Sequence, residues 1–327
     1  MDLGRVKSSI FDRTIFKKIK KRGAIDINRA YLSEQSAIAS FGSLNVCTAI
    51  SSKPYAVIDV SNKLHASGAS LDYITASILV DENSREIRVR EIIEDLEKWC
   101  AYFNVTIANI DVQVSKNVNK PVTTVFGVAS TKKEITKLDL TAHKSIAGAK
   151  IAVVNPIGLS GVRRIYNAKK DEILNRYTED VVGRALGEDI ELDASKTADF
   201  IYDYFRDNGI NGSVCAVCEC GVLNSLWDYS IKGNAGFEID IRKVSVRQEI
   251  IEICEMYGIN PYELESMGTL LVTYFGECDI VNILNEKNVT ANVIGEFVSS
   301  NNKIIRSLSE ERFLEMPGQD EIYKVVI

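Results

Sequence analysis

From about residue 148 onward, runs of strand length alternate with helical stripes, and glycine or proline marks several of the changes. "KIAVVN" has the length and β-branched content of a buried strand, and "PIGLSG" then turns the chain into a charged helix. "TADFIYDYFRDNG" reads as a helix stopped by Gly209, followed by the strand "GSVCAVC" and a helix from about Val222. "FEIDIR" is a strand and "SVRQEIIEICEMYG" a helix ended by Gly258, with Pro261 suited to the next first turn. "GTLLVTYF", a helix around "IVNILNEKN", and "TANVIGEFV" complete the pattern. Alternation of this kind buries a sheet against helices and leaves few other architectures open.

The first half begins with Ile10, Phe11, Ile15, Phe16 and Ile19 at helical spacing, predicting a helix over about 8–22. "LNVCTAI", "YAVIDV" and "LDYITASILV" read as strands. Asn83 or Ser84 can cap a long helix, "REIRVREIIEDLEKWCAYF", whose stripe runs through Ile87, Ile92, Leu96 and Phe103. "NVTIANIDVQV" and "PVTTVFGVA" are further strands, and the charged "STKKEITKLD" reads as a crossing between domains. No 20–50-residue repeat is visible. The expectation is an α+β (α/β) protein of two domains, residues 1–140 and 141–327.

Composition narrows the function classes. No apolar run approaches the roughly 20 residues of a membrane span, and the opening residues lack the apolar core of a secretory signal. Seven cysteines, an odd number, fit reduced thiols in the cytoplasm. A net charge of −6 argues against general nucleic-acid binding. The local basic run Lys17, Lys18, Lys20, Lys21 and Arg22 reads as a solvated helix face.

"CAVCECG" places Cys215, Cys218 and Cys220 within six positions. A structural zinc site wants four Cys or His ligands; here three thiols have no nearby histidine, so small buried side chains are expected and no metal. A thiol metal or redox role stands as an alternative. His65 and His143 are the only histidines, and no Ser/His/Asp or Cys/His arrangement is visible.

The segment "GVLNSLWDYSIKGNAGFEIDIRKVSVRQEIIEICEMYGINPYELESMGTLLV" resembles the carboxy domain of the aminoimidazole ribonucleotide (AIR) synthetase superfamily. That superfamily also holds hydrogenase maturation factors, selenophosphate synthetases and thiamine-phosphate kinases. "NVNKPVTTVFGVA" and "ERFLEMPGQDEIYKV" are similar to bacterial AIR synthase-related and hydrogenase-maturation-like proteins. The resemblance implies a carboxy α/β sandwich domain and an amino domain that closes a shared β-barrel in a homodimer, with ATP and magnesium beside it.

The superfamily's acidic and glycine-rich motifs are altered. Its first motif becomes "RAYLSEQSA", with Gln35 where an aspartate belongs, and its Thr-Asp strand end becomes "TA", with Ala49. The Asn-Asp pair before a Ser-Gly-Ala turn becomes "SNKLHASGA": Asn62, Ser67 and Gly68 are kept and Lys63 replaces the acid. "NIDVQ" puts Asp111 at a histidine and Gln113 at a glutamate, and "CAVCECG" keeps Glu219 and Gly221 with Ala216 for the aspartate. Gly158, Ser160 and Gly161 of "PIGLSG", and Ser266 and Gly268 of "ESMGTLLV", match the family. The "PIGLSG" glycines either cradle an anion on N–H groups or serve only a tight turn. Lys63 either neutralises an anionic ligand or is a solvated surface residue.

The resemblance thus implies a nucleotide or small-anion site at Asn62, Lys63, Ser67, Gly68, Asp111, Gly158, Ser160, Gly161, Glu219 and Gly221. It implies no catalytic residue, with ATP and magnesium bound only if the inherited site still works. The carbamoyl-accepting terminal cysteine of the maturation factors has no counterpart, since the last cysteine is Cys278. The expectation is a degenerate, binding or regulatory homodimer, with a small anion or a protein as partner and no nucleic acid or membrane. The alternative is an ATP-dependent synthetase or kinase with relocated ligands, drawn from Glu34, Asp59, Asp111 and Glu219.

Overall fold

The computed structural model describes residues 3–20, 22–23, 25–28, 36–131, 145–308 and 310–326. Glu34, Gln35, His143, Lys21 and most of "STKKEITKLD" lie outside the described residues. The chain forms two compact units: Lys21–Ile135, and Met1–Lys20 with Thr136–Ile327. The mixed α+β class expected from the alternation is what forms, with one sheet in each unit.

The amino-terminal helix is less regular than its spacing predicts. α1 covers only Ser8–Ile10, followed by a wide π turn at Phe11–Ile15 and a 3-10 turn at Phe16–Lys18.

In the amino unit, β1 (Asp26–Asn28), β2 (Ser36–Phe41), β3 (Leu44–Ser51), β4 (Leu71–Val80), β5 (Thr106–Val114) and β6 (Val122–Thr131) form one sheet. Their order is β1-β2-β3-β6-β4-β5. Only β4 and β5 run parallel, and α3 (Glu86–Phe103) makes the crossover between them. α2 (Ala56–His65) packs on the same sheet at Gly127, where an added Cβ would come within 3.0 Å of Leu64 and Val60. α2 corrects the strand expected at "YAVIDV". The helix starts from Tyr55, held at φ 58, and Ala56 through Asn62 are all buried. Burial on every side removes the polar face by which helical spacing is normally read.

In the carboxy unit, the strands are β7 (Lys150–Val154), β8 (Gly212–Ala216), β9 (Gly236–Asp240), β10 (Leu270–Tyr274), β11 (Ala291–Val298), β12 (Lys303–Ser307) and β13 (Glu310–Phe313). They are ordered β13-β12-β9-β11-β7-β10-β8. Phe237 and Phe297 meet edge to face at 6.4 Å inside the core beside Ile151, Leu223, Leu226 and Ile294. The helices are α4 (Leu159–Leu174), α5 (Glu179–Leu186), α6 (Ser195–Asp207), α7 (Gly221–Lys232), α8 (Gln248–Tyr257) and α9 (Ile280–Glu286). No helix among the described residues is long and apolar enough to cross a membrane.

Candidate functional site

The end of α2 carries four of the expected positions. Lys63 follows Asp59 by one helical turn, a spacing that puts both side chains on one stripe. Lys63 Nζ lies 2.6 Å from Asp59 Oδ2 and donates to the Ile50 carbonyl at 2.9 Å. Asp59 is 1 % exposed. Burial alone would push its carboxyl up. The charges of Lys63 and then Lys53, with hydrogen bonds from Lys63 and Ser51, outweigh burial and hold it at about 2. Lys63 is therefore neither solvated nor aimed at open space: its charge is matched by an acid of its own helix.

The neighbouring positions are built into the same helix end. Asn62 and Ser67 are buried. Ser67 Oγ donates to the Lys63 carbonyl at 2.9 Å and touches Ser36 Oγ. Gly68 takes φ +80 and its N–H reaches the His65 carbonyl at 2.9 Å, while His65 Nε2 accepts from Leu71 N–H at 3.3 Å. Ala49 is buried in the sheet between Ser36 and Gly127.

Asp111 belongs elsewhere. It pairs with Ser77, between the buried Ala76 and Ile78, so it faces away from the helices because strand side chains alternate. Gln113 Nε2 donates to Asp111 Oδ2 at 2.9 Å. The structure thus gathers Asn62, Lys63, Ser67 and Gly68 and leaves Asp111 on the opposite sheet face.

In the carboxy unit, β8 ends at Ala216, so only Cys215 is on the strand; Cys218 and Cys220 lie in the corner leading to α7, and all three are buried. Cys220 and Gly221 both take left-handed backbone, φ +60 and +65. A Cβ at Gly221 would stand 2.4 Å from the Tyr262 carbonyl oxygen, so glycine is the residue that fits. Among the described residues, no group of three or more His, Cys, Asp or Glu side chains is arranged to hold a metal ion.

Asp320, which the sequence reading did not single out, fastens this corner. Its carboxylate accepts from Cys220 N–H at 2.5 Å, Ile322 N–H at 2.9 Å and Glu265 N–H at 3.3 Å. Burial pushes its carboxyl up to about 7; the N–H groups of Ile322 and Cys220 oppose that shift, and Glu265 and Glu219 add to it. Arg164 pairs with Glu265 at 2.6 Å and lies over the Tyr323 ring at 5.7 Å. Gly4 packs so closely here that a Cβ would meet the Tyr323 ring at 2.4 Å and Glu219 Oε1 at 3.1 Å. Arg5 reaches the fully buried Asp228 at 2.7 Å.

The "PIGLSG" turn docks against the neighbouring segment. Gly158 N–H donates to Ser266 Oγ at 2.9 Å, Gly161 N–H to the Glu265 carbonyl at 3.0 Å, and Ser160 Oγ accepts from Met267 N–H at 2.9 Å. Ser266 N–H in turn donates to the Cys218 carbonyl at 2.9 Å. Gly158, Ser160, Gly161, Glu219 and Gly221 are thereby drawn around residues 264–268 and the tail at 320–323. The capping aspartate of "PGQDEIYKV" was a readable signal for Asp320, whose side chain accepts from Ile322 N–H as a turn cap does.

Residues 147–307 match the family described as AIR synthase related protein, C-terminal domain. A hydrogenase expression/formation protein of Methanocaldococcus jannaschii is 22% identical over 284 residues, 83% of this chain and 77% of that protein. The structure of a HypE–HypF complex matches with a TM-score of 0.68 at 17% identity, over 86% of this chain and 93% of the other. The hydrogenase maturation protein HypE in complex with ATP matches with a TM-score of 0.63 at 16% identity, over 96% and 93%. The fold is the two-domain fold of these proteins.

Proposed function

We propose that this chain, whose carboxy unit is an AIR synthase-related C-terminal domain, is a hydrogenase-maturation-like protein that has lost Mg-ATP chemistry and works as a binding or regulatory homodimer. The observation that carries the reading is the 2.6 Å pair of Asp59 and Lys63. Magnesium takes near-octahedral oxygen ligands and is bound through carboxylates. Where the resemblance expects an aspartate, the chain places an ammonium that neutralises a buried acid. A divalent cation beside it would meet repulsion instead of ligands, so these residues do not fit magnesium. Ala49 offers only a methyl group at the second acidic position.

The carboxy unit agrees with this reading. The N–H groups of Gly158, Gly161 and Cys220 are donated to the chain's own oxygens, which leaves those donors engaged rather than turned to a phosphate. The homodimer is supported by the open face of the amino sheet. There Ile50 and Phe126 pair across β3 and β6 with 56% and 38% exposure, and Tyr73 is 39% exposed. An apolar sheet face of this kind is a docking surface in waiting. The HypE–HypF complex adds a protein as a candidate ligand class.

The test is calorimetric titration of the purified protein with ATP and magnesium, alongside a hydrolysis assay against a buffer blank. No saturable binding at micromolar nucleotide and no turnover are expected. Micromolar affinity abolished by replacing Asp111 and Glu219 would instead establish an enzyme with relocated ligands.

A further inference from the structure

Residues 9–20 present apolar side chains without burying any of them. α1, the π turn at Phe11–Ile15 and the 3-10 turn at Phe16–Lys18 pack chiefly on one another. Phe11 and Phe16 face each other at 6.3 Å. Ile19 N–H reaches the Ile15 carbonyl at 3.3 Å, which sets these two isoleucines one turn apart. They are 36% and 54% exposed at Ile15 and Ile19. An amphipathic stretch this short gains little from its own hydrogen bonds and is stabilised mainly by what its apolar side packs on.

The residues just before this segment fasten it to the carboxy unit, through Gly4 against Tyr323 and Arg5 on Asp228. Its charges are not balanced. Residues 12–20 carry four cations and one acid, and that acid, Asp12, lies 2.6 Å from Lys17. Arg13, Lys18 and Lys20 have no acid partner among the described residues. The chain as a whole has a net charge of −6, yet charges farther apart than about 8 Å are screened at physiological salt, so the local surplus governs contact here.

The mixture of side chains selects the partner. A nucleic-acid backbone would use the cations but gains nothing from exposed branched aliphatic groups, and the net negative charge opposes a long polyanion. A protein groove takes apolar anchors at the fixed spacing of a regular helix. Here the backbone passes through α, π and 3-10 geometry between Ser8 and Lys18, so no such register is kept. A fluid anionic surface needs no register: aliphatic groups enter the acyl boundary and cations stay with the headgroups.

We infer that residues 8–20 are a docking element for an anionic lipid surface, with Ile15 and Ile19 entering the interface and Arg13, Lys18 and Lys20 meeting its headgroups. The contact is peripheral and reversible. The expectation of no membrane partner rested on the lack of a spanning run, and an interfacial element requires none. This inference stands apart from the fate of the Mg-ATP site, because it uses different residues and a different ligand.

The test is co-sedimentation of the intact protein with vesicles of equal parts phosphatidylcholine and phosphatidylglycerol, against vesicles of phosphatidylcholine alone. Polyuridylate, a polyanion without an apolar phase, is the control ligand. Binding to the anionic vesicles is expected, weakened about tenfold or more on pure phosphatidylcholine and in the triple variant Arg13→Gln, Lys18→Gln, Lys20→Gln. The double variant Ile15→Ser, Ile19→Ser should weaken it about tenfold as well. Ile19→Ser alone serves should the double variant fail to fold by circular dichroism. No binding to the anionic vesicles, equal binding to both vesicle types, or folded serine variants that bind like the wild type overturns the inference. Binding to polyuridylate as tight as to the anionic vesicles overturns it too.

Discussion

Lys63 Nζ and Asp59 Oδ2 stand 2.6 Å apart on one turn of α2, with the carboxylate only 1 % exposed. Because the acid is almost completely desolvated, the lysine beside it is a structural counter-ion. Breaking one half of a buried pair leaves an uncompensated charge and costs about 3–5 kcal/mol, whereas removing both halves costs far less. Lys63→Met should therefore destabilise the amino unit by that amount. The double variant Asp59→Asn with Lys63→Met should recover most of it, as urea unfolding at pH 7 would show.

The same pair sets an acid limit. The Asp59 carboxyl sits at about 2 in the folded chain against an ordinary value of 3.8. A depressed folded value contributes stability that is full above 3.8 and is lost as pH falls toward 2, about 2 kcal/mol in all. Unfolding measured from pH 5 to pH 2 should show a steeper fall for the wild-type protein than for the double variant. Parallel curves would count against the ion pair.

Asp320 predicts the opposite slope. Its folded value lies near 7, above the ordinary 3.8. The folded chain thus holds a proton that the unfolded chain releases, and stability falls as pH rises from about 4 to about 7, then levels. Asp320→Asn removes this contribution, so the difference between wild-type and variant stability should shrink steadily across that window. The variant itself should be weaker at pH 5 by about 1–3 kcal/mol, since its NH2 group can only donate where the hydroxyl oxygen of the neutral carboxyl can still accept an N–H. Denaturant midpoints at half-unit pH steps check both statements.

Gly221 and Gly258 separate conformation from space. Both take positive φ, +65 and +61, but an added Cβ meets the Tyr262 carbonyl oxygen at 2.4 Å at the first and nothing within 4 Å at the second. Gly258→Ala should cost about 1 kcal/mol, the left-handed penalty alone. Gly221→Ala should cost about 2 kcal/mol more, because backbone must move. Thermal unfolding of the two variants provides the comparison.

If the open face of the amino sheet joins two copies, a charge at its centre should part them. Phe126→Asp is expected to shift the wild-type dimer to a monomer at micromolar concentration in sedimentation equilibrium. An unchanged mass would remove the homodimer from the proposal.

Legibility in the sequence followed burial. β4, β6, β7 and β10 were readable because β-branched runs of strand length are bounded by breakers, and α3 because one of its faces stays polar. α2 was not, since tertiary cover on all sides erased its period, and with it went the i, i+4 spacing that announces the Asp59–Lys63 pair. α5 went unread although Thr178 caps it and Glu179 and Asp180 fill its first turn. β12 and β13 lack a clean period in "KIIRSLSEERF". Of the carboxy cluster, Gly158, Ser160, Gly161, Glu219 and Gly221 were named through motif resemblance. Arg164, Glu265, Asp320 and Tyr323 were not, because their roles arise between segments about 100 or more positions apart in the chain.

The clasp at Asp320 also imposes an order on biosynthesis. Residues 3–7 leave the ribosome long before their neighbours Asp228 and Tyr323, and the corner at Cys220 stays unfastened until Asp320 has been translated. The amino unit, contiguous in the chain, is free to fold while the ribosome is still working. A chain stalled after residue 135 and before residue 320 would therefore carry a completed first unit and an unlatched second one.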